Sequence, residues 1–216
     1  MSNKKEYNNS LRKSWIKQKA KFTKEELLIK NFQVMQSWED NYMKLLAEIS
    51  TQKGGHILEL GFGLGISAGY IQKSKRIKSH TIIECHPDVI NIATKKLKQE
   101  IINGRVVLLN GFWETITPML KDKLFDGILF DTSPLDKETH FFHFFPFFKE
   151  AYRLLKNGGI FTYFSDEAKE LSKIHRKKLN SAGFKDINYK ICPVNPPQNC
   201  RYWTENTIIA PVITKN

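Results

Sequence analysis

Ile57-Leu58-Glu59-Leu60-Gly61-Phe62-Gly63-Leu64-Gly65 is an apolar run that breaks into glycines at every second position. It reads as a buried strand entering a tight turn, because glycine tolerates left-handed backbone and lets a chain come close to a ligand. Nineteen residues after Gly65, Glu84 closes a second apolar strand. An acidic side chain at such a strand tip can accept hydrogen bonds from both hydroxyls of a ribose. The pattern is E-x-G-x-G-x-G and not G-x-G-x-x-G, and no phosphate-cradling lysine accompanies it. It suits a ligand with an adenosine but no phosphates, which points to S-adenosylmethionine. The plainer reading is an ordinary glycine-rich strand turn.

Outward from this turn, strand and helix signals alternate. Strands are expected at residues 56–60, 80–84, 105–109, 125–130 and 159–164, with two closing strands at 184–191 and 207–213. A helix is expected from Val34, because Met35, Trp38, Tyr42, Leu45, Leu46 and Ile49 recur at spacings of three and four; Lys53-Gly54-Gly55 ends it. A second runs from Pro87 to Glu100, with proline near its start, where the missing N–H is harmless. A third ends at Leu154-Leu155-Lys156, stopped by Gly158-Gly159 and followed at once by a strand. The alternation predicts an α/β, Rossmann-like architecture: a mainly parallel seven-stranded sheet with helices on both faces. Ligands should lie beyond the carboxyl ends of its strands, where Gly61, Glu84, Gly111 and Asp131 all fall. Residues 1–33 read as a basic, partly helical leader before one domain over residues 34–216.

The bulk properties bound the function. A chain of 216 residues with 41% hydrophobic content suits one domain with a substantial core. No apolar run approaches the roughly 20 residues of a membrane span. The start, MSNKKEYNNS, lacks the apolar core of a signal peptide. Cys85, Cys192 and Cys200 are odd in number and lack C-x-x-C spacing, so they read as reduced thiols in a cytoplasmic protein. The net charge is +12, and residues 1–30 hold nine Lys or Arg against Glu6, Glu25 and Glu26. That excess is either an arm for nucleic acid or for an acidic substrate, or a solvated surface. Few aromatics accompany it (Tyr7, Trp15, Phe22) and no RNA or DNA motif, so a nucleic-acid partner is not expected. A basic adaptor on a retired enzyme fold is the non-enzymatic competitor. His140 and His143 lack an H-E-x-x-H frame and a third ligand, so no metal is expected there. The phenylalanines between Phe141 and Phe148 read as a helix face or pocket wall.

Two carboxylates carry the chemistry. Asp131 ends Phe125-Asp126-Gly127-Ile128-Leu129-Phe130-Asp131, so its carboxylate should face the crevice; its bland role is a turn or cap with Thr132, Ser133 and Pro134. Glu39 sits four residues from both Met35 and Met43, sharing a face with them on the expected helix. Flexible thioethers adapt to a ligand's shape. The alternative is an exposed Glu39 beside two core methionines. Trp113 either packs on an adenine face or is a core aromatic; its position favours neither. Asn195-Pro196-Pro197-Gln198 resembles the N-P-P-[FY] loop of methyltransferases acting on base or glutamine amino groups, but that loop belongs after the fourth strand. Here it is read as a turn.

Taken together, the chain resembles the guanidinoacetate N-methyltransferases. The matching stretches are Val34-Met35-x-x-Trp38-Glu39-x-x-Tyr42-Met43, Lys53-Gly54-Gly55, Gly61-Phe62-Gly63, Ile82-Ile83-Glu84-Cys85 and Gly111-x-Trp113-Glu114. They continue with Phe125-Asp126-Gly127-Ile128-Leu129, Asp131-Thr132, Leu154-Leu155-Lys156, Pro197-x-x-Cys200-Arg201-Tyr202 and Pro211-Val212-x-Thr214-Lys215. Ile83-Glu84-Cys85-His86-Pro87-Asp88 is also similar to the fungal protein-arginine delta-N-methyltransferases. The resemblance implies the class I methyltransferase fold and an S-adenosylmethionine-dependent N-methyltransferase of a guanidino group, guanidinoacetate first, another guanidine such as free or peptidyl arginine second. It implies that Phe62, Gly63, Leu64, Gly65, Ile66, Ser67, Glu84, Cys85, His86, Phe112 and Trp113 bind the cofactor. Met35 and Met43 would line the cofactor and substrate pocket, and Glu39 and Asp131 would hold the guanidinium. The leader would fold over the site as a lid, with Trp15 matching a cofactor-contacting tryptophan. The partner is then a small-molecule guanidine, with no membrane, and the chain is a monomer or homodimer. Two departures leave the substrate open. Between Tyr163 and Gly183 the chain is shorter than the family, where its members contact the substrate's carboxylate end, and Ser133 stands where tyrosine is usual.

The chemistry accords with the acidic pair, which suits a cation better than the oxygen or carboxyl group of other methyl acceptors.

Overall fold

The computed structural model describes residues 2–135 and 144–216. His140, His143, Phe141 and Phe142 lie outside the described residues. The chain opens with helix α1 (Ser2–Lys17) and three short strands, β1 (Ala20–Phe22), β2 (Glu26–Ile29) and β3 (Phe32–Gln36), which form an antiparallel sheet in that order. Ile29 pairs with Phe32 across Lys30-Asn31, at φ 51° and 64°. Two positive φ values in a row make the primed turn whose twist fits antiparallel strands. A 3-10 turn, Ser37–Glu39, leads into α2 (Asp40–Ser50). Then follow β4 (Gly55–Leu60), α3 (Ile66–Lys73), β5 (Ile77–Glu84), α4 (Pro87–Lys96), α5 (Lys98–Ile102), β6 (Val106–Asn110) and α6 (Trp113–Ile116). The chain ends with β7 (Phe125–Phe130), α7 (Phe147–Leu154), β8 (Leu155–Tyr163), α8 (Lys173–Ala182), β9 (Asp186–Pro193) and β10 (Thr207–Thr214).

The large sheet has seven strands in the order β6-β5-β4-β7-β8-β10-β9. Only β10 runs antiparallel to its neighbours. The order reverses beside β4, and such a switch point opens a crevice at the strands' carboxyl ends. Alternate residues of the central strands face opposite sides. Leu58, Leu60, Ile128 and Phe130 join a phenylalanine-rich cluster with Phe147, Phe148, Phe161 and Tyr163. Ile57 and Leu129 meet α2 through Tyr42, Met43 and Leu46. Each fully buried ring or branched chain contributes roughly 1.5–3 kcal/mol, so the strand ends are held rigidly.

The seven-stranded, mainly parallel architecture is as expected; three local readings are corrected. The helix expected from Val34 begins at Asp40, and Val34 and Met35 belong to β3. Pairing with β2 holds them extended, and the ladder outweighs a spacing that suits a helix. The leader therefore carries strands that its polar composition did not announce. The helix expected over Pro87–Glu100 breaks at Leu97 into α4 and α5. Gly158-Gly159 lies inside β8, where the register against β7 jumps from Phe125↔Leu155 to Gly127↔Ile160. Among the described residues, no helix is long and apolar enough to cross a membrane.

Candidate active site

A cavity of about 830 Å³ opens at the carboxyl ends of β4, β5, β6, β7 and β8 and is walled on another side by the leader. Its sheet side is built by strand tips. Gly61 N–H donates to Ile83 O, Gly111 N–H to Glu84 O, Asp131 N–H to Leu60 O and Phe164 N–H to Phe130 O. These bonds carry the strand ladders one residue past their ends and fix where each following side chain points.

One half of the cavity is a cradle. Gly61 has φ 85°, and a Cβ placed there would lie 2.0 Å from the Asp131 carbonyl oxygen. Gly63 has φ 54°, with a Cβ reaching 2.8 Å from Met35 Sδ. Side chains are thus excluded where the backbone must line the cavity. Glu84 is 9% exposed and held by three backbone donors: Phe62 N–H to Oε2 at 2.9 Å, and Cys85 and His86 N–H to Oε1 at 2.8 Å each. Each carboxylate oxygen has two lone pairs, so Oε2 keeps one acceptor site. Burial, then the negative charges of Glu84 and Glu114, push the Cys85 thiol far above its usual range, so it is no nucleophile. Arg12 pairs with Glu114 at 2.9 Å and lies over the Phe112 ring. Trp113 lines the cavity while packing edge-on against Phe130 and Phe147, so the ligand-facing and core readings both describe it.

The other half is acidic. Glu39 is 2% exposed and accepts from Gln36 N–H at 2.8 Å and from the Tyr202 hydroxyl at 2.5 Å, both at Oε1. Burial raises its pKa to about 7, against the lowering effect of those two bonds. Asp131 is pushed well above the carboxylate range by burial, then by the charges of Glu39, Glu59 and Asp166. Asp166, also on the cavity wall, is raised to about 7 by burial and then by Glu167. None of these three forms an ion pair among the described residues. Tyr202 stacks on Trp38, whose Nε1 donates to Gln36 Oε1, so the loop after β9 and the turn before α2 brace Glu39 together. Gln33 strengthens that tie, donating to Asn199 O and accepting from Arg201 N–H.

The cavity brings together Trp15, Met35, Glu39, Gly63, Glu84, Cys85, Phe112, Trp113 and Asp131. The remaining expected ligands stand behind them. Met43 is fully buried in the core beside α2. Phe62 supports Glu84 through its N–H, and Leu64 N–H donates to Met35 Sδ. Gly65 and Ile66 start α3, and the Ser67 hydroxyl donates to Glu59 on β4. His86 accepts from Asp88 N–H at Nδ1, which leaves Nε2 to donate to Gln18 O; Ala20 N–H donates to Asp88. These bonds fasten the leader to the first turn of α4. Asp166 and Tyr202 went unassigned in the sequence reading. Asp166 follows the end of β8, and the strand-end rule alone could have found it. Tyr202 had no signal beyond its place in a matching stretch.

Comparison with known proteins adds to this geometry. The family model of guanidinoacetate N-methyltransferase matches residues 5–216. Protein arginine N-methyltransferase 2 of Kluyveromyces lactis is 31% identical over 161 residues, covering 70% of this chain and 38% of that protein. The protein of the same name from Neurospora crassa is 28% identical over 216 residues, covering 84% and 48%. The chain thus spans between a third and a half of the length of these curated relatives. Among solved structures, spermidine synthase from Thermotoga maritima matches with a TM-score of 0.65 at 14% identity, over 92% of this chain and 72% of that one. Precorrin-6y C5,15-methyltransferase from Geobacter metallireducens matches with a TM-score of 0.56 at 13% identity, over 80% and 87%. At such identities the likeness is one of fold.

Proposed function

The chain belongs to the guanidinoacetate N-methyltransferase family, and from that premise we propose that it transfers a methyl group from S-adenosylmethionine to a guanidino nitrogen. The observation that carries this reading is the meeting of Glu39 and Asp131 on one wall, beside the glycine cradle. The cradle fits a nucleoside: the backbone at Gly61 and Gly63 would lie along it, and Glu84 Oε2 would accept from a ribose hydroxyl. When bound, S-adenosylmethionine supplies an electrophilic methyl group on a positively charged sulfur.

The chain's own residues must then solve a charge problem. A guanidinium has a pKa of about 13, so at pH 7 about one molecule in a million is neutral. The cation has no free lone pair for attack. Two unit charges 4 Å apart cost about 4 kcal/mol at an effective dielectric of 20. Glu39 holds the planar cation by charge-assisted hydrogen bonds. Its two described donors both occupy Oε1, which leaves the acceptor sites of Oε2 for the cation. Asp131 takes the proton that the attacking nitrogen releases, leaving a methylated guanidine and a protonated carboxyl. Burial and neighbouring charge make it a stronger base than an exposed aspartate, and the bound guanidinium favours the ionised form in which it can accept that proton. Residues 1–33 act as the lid that keeps water from the acidic wall. The family model names guanidinoacetate and the fungal relatives name arginine. What they share is the guanidinium, and the reading is built on that.

The test is methyl transfer from labelled cofactor to a panel of guanidines, with mass spectrometry locating the methyl group. Asp131→Asn should lower kcat by roughly 10²–10⁴ while S-adenosylhomocysteine still binds. Turnover near wild type in that variant removes Asp131 from the base role.

A further inference from the structure

Asp166 is a third carboxylate in the acidic half of this cavity, beside Glu39 and Asp131, and the methyl transfer described above does not use it. Its placement is fixed from several sides. Phe164 N–H bonds Phe130 O, which sets the segment after β8 beside Asp131. The buried Ser165 hydroxyl donates to Ile209 O and accepts from Glu167 N–H, and Ile209 N–H donates to Glu167 O. Asp166 itself has φ 55°, the left-handed region that aspartate tolerates better than most residues. The backbone turn separates the two neighbouring acids. Glu167 meets the buried His175 at 3.4 Å, and Asp166 lines the cavity.

Among the described residues, no cation on the cavity wall forms an ion pair with Asp166. Arg12 is paired with Glu114, while Lys30 and Arg201 are exposed, where solvent screens them. A substrate carrying a carboxylate away from its guanidinium would add a further acidic group beside Glu39, Asp131 and Asp166, whose charges already oppose one another. A substrate carrying an ammonium there would supply the missing counter-charge. Resting on the guanidino methyltransferase reading, we propose that the substrate carries a second positive charge, which Asp166 receives. The substrate class is then an aminoalkyl guanidine, not a guanidino carboxylate.

The experiment uses the full chain, labelled S-adenosylmethionine and the probes 4-aminobutylguanidine, butylguanidine, guanidinoacetate and N-acetylarginine amide. The amino group should raise kcat/KM over butylguanidine by roughly ten-fold or more, through KM, and guanidinoacetate should be the poorest of the set. Asp166→Asn and Asp166→Gly, both at ease in left-handed backbone, should abolish most of that advantage. Equal kcat/KM for 4-aminobutylguanidine and butylguanidine overturns the proposal and leaves guanidino methyl transfer standing. So does a preference for guanidinoacetate or N-acetylarginine amide. An advantage that survives both Asp166 variants overturns the assignment to this residue. Methylation of none of the probes, with S-adenosylhomocysteine bound, overturns the parent reading as well.

Discussion

At the scale of the residue, Glu39 is a carboxylate balanced between opposing influences. Burial raises its pKa and the bonds from Tyr202 and Gln36 lower it, leaving it at about 7. Tyr202→Phe removes one lowering influence. The acidic limb of kcat/KM for a guanidine should then move to higher pH, and KM at pH 7 should rise several-fold. An unchanged limb would show that the phenol does not tune Glu39. Stability should respond with the opposite sign. Glu39 keeps its proton to higher pH when folded, at about 7 against 4.5, so the folded chain binds more protons in between. Its contribution to stability is therefore greatest at acid pH and declines as pH rises from 4.5 through 7. Glu39→Gln should flatten that decline in denaturant titrations across the window. Asp131 was legible as a cavity residue because it follows a strand end; Glu39 was singled out by a helix-face spacing that Met35, being in β3, does not share, and by the resemblance. Tyr202 was not, because its approach depends on a loop folding back over more than 160 positions of chain.

At the scale of the element, the turn after β4 is the least replaceable piece. Gly61→Ala would place a Cβ 2.0 Å from the Asp131 carbonyl oxygen, at φ 85°. The strain should cost about 1–3 kcal/mol, roughly a 2–12 °C fall in Tm, with cofactor affinity lost as the turn moves. A variant that keeps both Tm and cofactor binding would show that the turn yields freely. This element was the most legible in the sequence, because a strand followed by alternate glycines has few other uses. The stretch Phe32–Gln36 was not, since Met35, Trp38, Tyr42 and Leu45 fit a helical period regardless of where the helix starts. Its extended form comes from pairing with β2 and from the Lys30-Asn31 turn, neither of which periodicity reports.

At the scale of the whole molecule, the leader and the sheet enclose the cavity between them. Trp15 is 3% exposed although it belongs to α1, and it packs against Phe32. If the leader is the lid, binding of S-adenosylhomocysteine should slow amide hydrogen exchange across residues 9–36, while the buried strand β7 exchanges as slowly as before. Equal exchange with and without ligand would show that the leader is static. The arrangement of the seven strands was legible from the alternation of signals. The leader's docking was legible only through the resemblance, because its polar composition conceals a few long-range contacts: Gln18 to His86, Ala20 to Asp88 and Arg12 to Glu114. Two of those contacts have a wider consequence. Glu84, which is bonded to the glycine cradle through Phe62 N–H, and His86 and Asp88, to which the leader is bonded, fall within five consecutive positions. A mutation that retuned the hook for a different sugar would loosen the ceiling in the same stroke. Under the proposed reaction, such a chain is freer to change what it methylates than the donor from which it takes the methyl.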